Sequence, residues 1–272
     1  MSKVKNLINN QTLSGGLSYF DYELSVGREI LVPWLRQHMQ LEGLRVGDFG
    51  CHQGGILEAL RQEGKINSGH GFDLDAPSIA ASPFKSDSNF KLQVLDLNSL
   101  EPGQQSFDLI LLRDVLEHIP DYEGILRKAR ECLNPGGRIF ISFPPYYSPF
   151  GGHQQEASNW TRAVPFLHYL PRSLFFRLVK THDTLYMTQG SSLADMQSVS
   201  QTCLTLHKAE GAFEKTDLRI HAAEYFLFRP EFRIRYGLPT WNTGPACKIP
   251  VLREIITMGV YYLLSAEKFK PI

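Results

Sequence analysis

Two kinds of hydrophobic pattern alternate along this chain. Short apolar runs, typical of strands, cover residues 44–49, 69–75, 90–96, 107–112 and 138–143. Apolar residues recur at helical spacing over residues 22–39, 56–64 and 121–133. Strands that alternate with helices in this way predict an α/β fold with a parallel sheet, in which ligands bind at the carboxyl ends of the strands.

The first predicted strand runs into a glycine-rich turn. Asp48 lies near the end of the strand, and Gly50, Gly54 and Gly55 follow it. Glycines let the backbone turn sharply and approach a ligand where a Cβ would collide. The dinucleotide-binding fingerprint requires a glycine where this chain has His52, so a pyrophosphate fits poorly. A carboxylate beside the turn repels phosphate but suits an ammonium or a sulfonium, and S-adenosylmethionine carries both cations and no phosphate.

The next two predicted strands also end in acids. Asp73 follows Gly50 by about 20 residues, the distance at which an acidic side chain accepts hydrogen bonds from ribose hydroxyls. Asp96 ends the third strand. Each acid alone is as well explained as a turn former or helix cap. Because the carboxyl ends of parallel strands meet at one edge, we expect Asp48, Asp73 and Asp96 to line that edge together.

These segments resemble the class I S-adenosylmethionine-dependent methyltransferases, and within them the small-molecule group that includes ubiquinone-pathway O-methyltransferases. The resemblance covers roughly residues 46–145. It rests on residues 46–54, 71–74, 96–97, 114–119 and 133–137, in that order. It implies a doubly wound, seven-stranded, mostly parallel α/β sheet of the Rossmann-like methyltransferase type, and S-adenosyl-L-methionine as cofactor.

The resemblance also implies where the methionine part of the cofactor lies. Asp48 and the backbone of Gly50 and Cys51 would face it, and Arg113 would pass near the sulfonium through its backbone. The family usually has glycine where His52 stands. An imidazole there narrows the turn, and it would either crowd the methionine carboxylate or donate a hydrogen bond to it.

The nucleoside part is assigned in the same way. Asp73 would accept from the ribose hydroxyls with Leu74 beside the adenine, while Asp96 and Leu97 would meet the adenine amino group and ring. The residues assigned to cofactor binding are therefore Asp48, Gly50, Cys51, His52, Gly54, Asp73, Leu74, Asp96, Leu97 and Arg113.

His52 keeps a second interpretation open. A disabled turn would make the chain a nucleoside-binding protein without catalysis, serving as a regulatory or scaffolding partner. A third interpretation is an enzyme of the same architecture that uses NAD(P) or a nucleotide sugar, but the glycine spacing and Asp48 weigh against it.

A lid is predicted after the fifth strand, over residues 146–200. The segment is unusually aromatic, which indicates a wall around an acceptor pocket that excludes water. Its aromatic and neighbouring residues are Trp160, Phe166, His168, Tyr169, Phe175, Phe176, Tyr186 and Met187. The alternative is a helical pair that packs on the sheet for stability only.

His153, in the loop that enters this segment, is the candidate general base. Methyl transfer needs a base only when the acceptor is a hydroxyl that must lose a proton, and imidazole has a suitable pKa. The alternative is a turn residue that bonds the backbone. Tyr146 and Tyr147 are expected to line the pocket. No metal is predicted, because Glu117 and His118 should point in different directions with no other carboxylate–histidine cluster nearby.

The last third of the chain is predicted to add further strands to the sheet. Residues 197–215 read as a helix, 218–228 as a sixth strand and 259–266 as a seventh, which in this family would pair antiparallel at the sheet edge. An irregular stretch, residues 229–250, lies between them. Its arginines, Arg229, Arg233 and Arg235, are interpreted as solvated surface charge, with binding of a phosphate or an acidic sugar as the alternative.

Composition limits the remaining possibilities. The 272 residues include 28 Lys plus Arg and 28 Asp plus Glu, so no basic excess favours nucleic acid. The four cysteines are scattered, which suits a reducing compartment, and the polar start of the chain (residues 1–20) has no apolar signal core. No apolar run reaches membrane-spanning length.

We expect a cytoplasmic enzyme that methylates a small-molecule or glycan-like acceptor, most simply at oxygen. The expected divisions are an N-terminal helical segment (1–40), a cofactor core (41–145), the lid (146–200) and the rest of the sheet (201–272).

Overall fold

The computed structural model describes residues 18–103, 105–181 and 189–266. The strands are β1 (Arg45–Phe49), β2 (Ser68–Asp73), β3 (Phe90–Val94), β4 (Phe107–Arg113), β5 (Leu133–Phe143), β6 (Arg219–Phe228), β7 (Trp241–Asn242) and β8 (Gly259–Ser265). They form one sheet in the order β3-β2-β1-β4-β5-β8-β6-β7. Strands β1 to β5 are mutually parallel, and β8 is antiparallel to both of its neighbours.

Helices cover both faces of this sheet. They are α1 (Tyr19–Val26), α2 (Val32–Arg36), α3 (Gly55–Ala59), α4 (Ala76–Ala80), α5 (Tyr122–Glu131), α6 (Arg172–Leu178), α7 (Gln189–Thr202), α8 (Leu206–Lys215), α9 (Glu231–Tyr236) and α10 (Pro250–Ile256). A π-helical turn, Gly27–Leu31, joins α1 to α2, and a second one, Leu60–Gly64, extends α3. The predicted N-terminal helix is therefore present and begins at Tyr19, where the Ser18 side chain caps it.

The core lies in two layers, one on each side of the sheet. Strand β4 shows why: Leu109 and Leu111 pack in one cluster, whereas Ile110 and Leu112 pack in the other. All four side chains are fully buried. The continuous apolar run of this strand thus reflects burial on both faces, as expected of a central strand in a parallel sheet.

The fold class is confirmed, but two predictions about the sheet are wrong. The described residues form eight strands, because Trp241 and Asn242 pair with Phe228 and Phe226 at the end of β6. A two-residue strand is too short to leave a hydrophobic pattern. Strand β8 is antiparallel as expected, yet it lies between β5 and β6 rather than at the edge.

Two predictions about the last third also need correction. Residues 197–215 are not one helix, because α7 ends at Thr202 and Thr205 begins α8 by accepting a hydrogen bond from the Lys208 N–H at 3.1 Å. Residues 229–250 are not irregular throughout, since they contain α9 and the start of α10.

The segment after β5 forms a layer of its own beside the carboxyl ends of the strands. Three short 3₁₀ turns, Gln154–Glu156, Trp160–Ala163 and Leu167–Tyr169, precede α6. A small separate core holds them together, made by Ala157, Leu167, Phe175, Val179 and Met196. Two residues of the predicted aromatic lid, Tyr186 and Met187, lie outside the described residues. Across the described ranges, no helix combines the length and the apolarity needed to cross a membrane.

Candidate functional site

The turn after β1 needs glycine at Gly50. Its φ of +87° lies in the left-handed region, and a Cβ there would stand 2.3 Å from the Val115 Cγ2 atom. The N–H groups of Gly50 and Cys51 both donate to the Phe72 carbonyl, at 2.7 and 3.1 Å. Gly54 also has a positive φ, +81°. Both N–H groups are therefore already paired within the protein.

The backbone and the imidazole of His52 each make contacts that hold this residue in the turn. Its φ is +47°, and its backbone N–H donates to Asp73 Oδ2 at 2.6 Å. The imidazole Nε2 lies 2.9 Å from the Ser78 hydroxyl, and the ring packs 4.4 Å from the Tyr19 ring centroid. Burial lowers the pKa of His52, so the imidazole is neutral at physiological pH.

Asp48 is the buried acid of the site. Only 3% of its surface is exposed, and its Oδ2 atom has no hydrogen-bond partner among the described residues. Burial, with a further contribution from the nearby Asp73 charge, raises the pKa of Asp48 to about 7. A buried carboxyl oxygen without a donor fits the ammonium group of S-adenosylmethionine, because the cation would supply the missing hydrogen bond and stabilise the charged form.

The ends of β2 and β3 carry the other predicted cofactor residues. Asp73 accepts from the Asp75 N–H at 2.8 Å as well as from His52, which leaves lone pairs for hydroxyl donors. Leu74 beside it is 71% exposed, an unusual exposure for leucine. Asp96 accepts from the Asn98 backbone and side chain, and Leu97 is buried in the core. Asp73 and Leu74 thus present a polar and an apolar group side by side at the sheet edge.

Arg113 and Asp114 end β4 within a buried charge network. The Arg113 guanidinium forms a salt bridge with Glu23 of α1 and lies 3.6 Å from Asp114 Oδ2. Its side chain is therefore occupied by these two carboxylates. Asp114 has a φ of +56° and accepts hydrogen bonds from Ser142 and Arg229. Burial disfavours its charge, but Arg229 and Arg113 lower the pKa of Asp114 to about 2.

Two histidines share one carboxylate beside this network. Asp195 Oδ1 lies 3.0 Å from His118 Nδ1, and Asp195 Oδ2 lies 2.8 Å from His153 Nδ1. The two imidazole rings cross with their centroids 5.0 Å apart. Burial disfavours charge on Asp195 and His118, but the two histidines hold the pKa of Asp195 well below its ordinary value. The Asp195 carboxylate in turn raises the pKa of His118 to about 9.

Carboxyl groups surround this trio, contrary to the expectation of no further cluster near Glu117 and His118. Glu156 Oε1 lies 3.8 Å from His153 Nδ1, and Glu117 Oε1 lies 3.9 Å from His118 Nε2. Burial raises the pKa of Glu117 to about 8, and burial together with the Asp195 charge raises that of Glu156 well above its ordinary value. Glu117 is therefore largely protonated at neutral pH.

The same groups have the spacing of metal ligands. Ligand atoms of Glu117, His118 and His153 lie within 4.8 Å of one another, as do those of His153, Glu156 and Asp195. Imidazole nitrogen and carboxylate oxygen are common ligands of divalent metals. The contacts between Asp195 and the two histidines occupy both Asp195 oxygens and one ring nitrogen of each histidine, whereas both Glu117 oxygens and Glu156 Oε2 have no hydrogen-bond partner among the described residues.

Comparison with known proteins supplies the family. The methyltransferase domain family matches residues 22–186 of this chain, which is more than half of its length. The chain belongs to the methyltransferase domain family. The resemblance to class I S-adenosylmethionine-dependent methyltransferases, and S-adenosylmethionine as cofactor, are thereby confirmed.

The individual relatives of this methyltransferase are distant. A ubiquinone biosynthesis O-methyltransferase of Coxiella burnetii is 29% identical over 114 residues, which cover 42% of this chain and 49% of that protein. That of Stutzerimonas stutzeri is 29% identical over 115 residues, covering 41% and 49%. The chain therefore spans about half the length of the curated relatives it matches.

Solved structures share the fold of the methyltransferase. An S-adenosylmethionine-dependent methyltransferase of Mesorhizobium loti has a TM-score of 0.52 at 22% identity, covering 85% of this chain and 95% of that one. A Haloferax volcanii protein, described as a putative methyltransferase in complex with the Trm112 methyltransferase activator, has a TM-score of 0.54 at 16% identity, covering 93% and 99%.

Several residues of the methyltransferase site were not predicted from the sequence. Asp195 and Glu156 complete the histidine cluster, and Tyr19 covers His52. Asp195 lies 42 positions after His153 in a helix without an amphipathic pattern, so no local signal marks it. Tyr19 is the first residue of α1 and lies three positions before the helical pattern predicted from the sequence.

Proposed function

We propose that this protein transfers the methyl group of S-adenosylmethionine to an oxygen atom of a small-molecule or glycan-like acceptor, with His153 as the general base. The observation that carries the proposal is the 2.8 Å contact between His153 Nδ1 and Asp195 Oδ2 at the carboxyl edge of the sheet. A base held by a carboxylate is needed when a hydroxyl must lose its proton, which favours an oxygen acceptor.

The contact with Asp195 fixes the role of each His153 nitrogen. An ionised carboxylate only accepts hydrogen bonds, so Nδ1 carries the proton and Nε2 keeps a lone pair. Nε2 then takes the proton of the acceptor hydroxyl as its oxygen becomes nucleophilic. His118 is held as a cation by the same carboxylate, so it serves as a charged neighbour rather than as a base. Bound S-adenosylmethionine supplies a methyl carbon activated by its sulfonium.

Residues 146–200 act in this proposal as the lid over the acceptor. A cavity of about 170 Å³ lies within this segment, and its lining includes Tyr146, Gly152 and His168. Burial lowers the pKa of His168 to about 4, so that residue stays neutral, and its Nε2 lies 2.7 Å from the Tyr146 carbonyl. The lid supplies His153, Glu156 and Asp195, so an acceptor would meet the base only where the lid covers the sheet.

The surroundings of His52 favour the enzyme over the non-catalytic alternative. Its imidazole contacts Ser78 and Tyr19, which indicates a turn stabilised around the histidine. The cofactor roles of Asp48, Gly50, Cys51, His52, Gly54, Asp73, Leu74, Asp96, Leu97 and Arg113 remain part of the proposal, as do a cytoplasmic location and the absence of a nucleic-acid substrate.

Calorimetric titration with S-adenosylhomocysteine tests the cofactor part. We expect micromolar binding by the wild-type protein and a loss of about tenfold or more in Asp73→Asn, since ribose hydroxyls would lose a charged acceptor. Asp87→Asn is the matched control, because Asp87 also accepts from backbone N–H groups but stands at the start of β3. No binding by the wild-type protein, or equal loss in both variants, would contradict the proposal.

The base is tested in the same protein with an acceptor found by screening hydroxyl compounds. His153→Ala should lower kcat by about 100-fold or more and remove the acidic limb of the pH–rate profile, while the affinity for S-adenosylhomocysteine stays unchanged. A pH profile that is the same in wild type and variant would remove His153 from the mechanism.

A further inference from the structure

The segment that follows β5 brings one histidine and two carboxyl groups together around a single point. His153 Nδ1 lies 2.8 Å from Asp195 Oδ2 and 3.8 Å from Glu156 Oε1. One ligand atom from each of the three residues lies within 4.8 Å of the other two. Two protein ligands on opposite sides of one zinc ion are about 4.4 Å apart, since each bond is at most about 2.2 Å long. Both separations measured from Nδ1 therefore fit within one coordination sphere.

Two separate backbone elements position these side chains. His153 has a φ of +58°, and the Glu156 N–H donates to the His153 carbonyl at 3.0 Å, which closes the 3₁₀ turn Gln154–Glu156. Residues three apart in such a turn project on the same side. Asp195 comes from α7, where its backbone carbonyl accepts from the Ser198 hydroxyl at 2.7 Å. The three groups are thus preorganised, as a ligand set requires.

Burial and an unused lone pair favour a cation at this point. Only 7% of the His153 surface is exposed, whereas the side chains of Glu156 and Asp195 are 22% and 21% exposed. The Glu156 Oε2 atom is buried without a hydrogen-bond partner among the described residues. A buried polar atom without a partner costs free energy, and a bound cation offsets that cost. The partial exposure of the two carboxyl groups leaves the ion a path from solvent.

His118 supports Asp195 from the opposite side. Its Nδ1 atom lies 3.0 Å from Asp195 Oδ1, the oxygen that does not face His153. Groups that bond to the ligands rather than to the ion orient those ligands, and their loss typically lowers metal affinity by about 10- to 100-fold. His118 is therefore a positioning residue for the Asp195 carboxylate.

We propose that His153 Nδ1, Glu156 and Asp195 bind a divalent transition-metal ion, and that the bound ion removes His153 as a base. Imidazole and carboxylate ligands together suit zinc or manganese better than magnesium, which prefers oxygen ligands and retains its water. The ion takes the Nδ1 lone pair, so the proton of the neutral imidazole moves from Nδ1 to Nε2, and no net proton is released. This inference rests on the proposed function, in which the Nε2 lone pair accepts the proton of the acceptor hydroxyl. The metal-bound protein is then unable to use that lone pair.

Calorimetric titration with Zn²⁺ tests the site, with Mg²⁺ as the comparison ion and protein freed of metal by chelation. We expect one Zn²⁺ per chain in the wild type and binding weaker by about tenfold or more in Glu156→Gln. The matched control is Glu131→Gln, which removes an exposed carboxylate at the end of α5 and should leave the affinity unchanged. No zinc binding by the wild type, or equal binding in all variants, would overturn the proposal. A loss confined to Glu117→Gln would place the ion on the Glu117 side of His118 and would also overturn it.

Nitrogen-15 NMR of the histidine rings identifies the ligating atom. With Zn²⁺ we expect the His153 signals to show metal on Nδ1 and a proton on Nε2, the reverse of the form that bonds to Asp195. Glu156→Gln should need about tenfold more zinc for the same change. Coordination through Nε2 would overturn the inference, because Nδ1 would then keep its hydrogen bond to Asp195.

The rate of methyl transfer separates this inference from the proposed function. Saturating Zn²⁺ should lower the kcat of the wild type by about 100-fold, as expected for His153→Ala, and a chelator should restore it. Glu156→Gln should need about tenfold more zinc for half-maximal inhibition. Zinc that binds without slowing the reaction would contradict His153 as the base and overturn the inference. Failure of the wild type to bind S-adenosylhomocysteine would contradict the proposed function alone, because zinc binding and the NMR signals still report on the three ligands.

Discussion

The Arg229 guanidinium donates hydrogen bonds from Nη2 to both carboxylate oxygens of Asp114, at 3.0 and 2.8 Å, across 115 positions of the chain. Asp114 ends β4 in a left-handed conformation, and Arg229 follows the last residue of β6. Glu231 accepts from the same guanidinium and from the Tyr261 hydroxyl. A charge network therefore joins the late strands to the segment that carries Glu117 and His118.

Replacing Arg229 should destabilise the protein far more than replacing Arg233. Arg229→Met leaves the buried Glu231 carboxylate without its cation and Asp114 with Arg113 alone, and the loss of one partner of a buried ion pair typically costs about 3 to 5 kcal/mol. Arg233→Met removes a surface pair with Glu29 and should cost less than about 1 kcal/mol. Urea unfolding of both variants measures the difference. Similar midpoints would show that the network adds little stability.

Asp48 should make the cofactor-free protein less stable as the pH rises. Its folded-state pKa of about 7 exceeds the ordinary value of 3.8, so the folded protein holds a proton that the unfolded chain releases. Stability is then lost between about pH 4 and pH 7, by an amount on the order of 4 kcal/mol. Asp48→Asn removes this pH dependence. The free energy of unfolding of the variant minus that of the wild type should therefore be larger at pH 8 than at pH 5. Glu117 shifts in the same direction but is common to both proteins. Urea unfolding at the two pH values, without cofactor, measures this. An unchanged difference between wild type and variant would show that Asp48 is already ionised.

Alanine substitutions at Gly50 and Gly103 distinguish the cost of steric contact from the cost of backbone strain. Both have a positive φ, +87° and +93°, but only Gly50 has an atom within 4 Å of the position a Cβ would take. Gly103→Ala should cost about 1 to 2 kcal/mol, the strain of a left-handed alanine. Gly50→Ala should cost more and also abolish binding of S-adenosylhomocysteine, because Val115 must move. Chemical denaturation and calorimetry measure the two effects. Retained binding in Gly50→Ala would show that the turn tolerates this displacement.

His118 should titrate far above an ordinary histidine. Burial disfavours its charge, but the Asp195 carboxylate more than offsets this and gives a pKa of about 9. In Asp195→Asn that support is lost, so the His118 pKa should fall to 6.5 or below. Proton NMR of the imidazole Cε1–H resonance follows the titration. Ser198→Ala is the control, because it removes a neutral partner 3.0 Å from His118 Nδ1 and leaves the charge in place. A His118 pKa near 9 in Asp195→Asn would assign the shift to another group.

How much of the structure could be predicted from the sequence depends on whether each feature arises from residues that are close along the chain or from residues that are far apart. Strand β4 was recognisable because burial on both faces leaves an apolar residue at every position from Leu109 to Leu112. The acids at the strand ends were recognisable because their positions can be counted from the glycine turn and compared with the spacing typical of nucleoside-binding folds. The contact between His153 and Asp195 was not recognisable, because it depends on how α7, a helix without an amphipathic pattern, packs against the rest of the protein. The split of α7 from α8 at Thr205 was missed because a helix cap interrupts a pattern that otherwise continues.

The position of β8 between β5 and β6 governs the order in which this chain can fold during synthesis. Strand β6 leaves the ribosome before β8 but has no place in the sheet until Gly259–Ser265 has emerged and paired with β5. Until then β6 and the apolar face of β5 are exposed, and nascent chains in this state are open to aggregation or chaperone capture. The pairing of Arg229 with Asp114 is delayed by the same event, so the carboxyl edge of the sheet is completed only after β8 has paired.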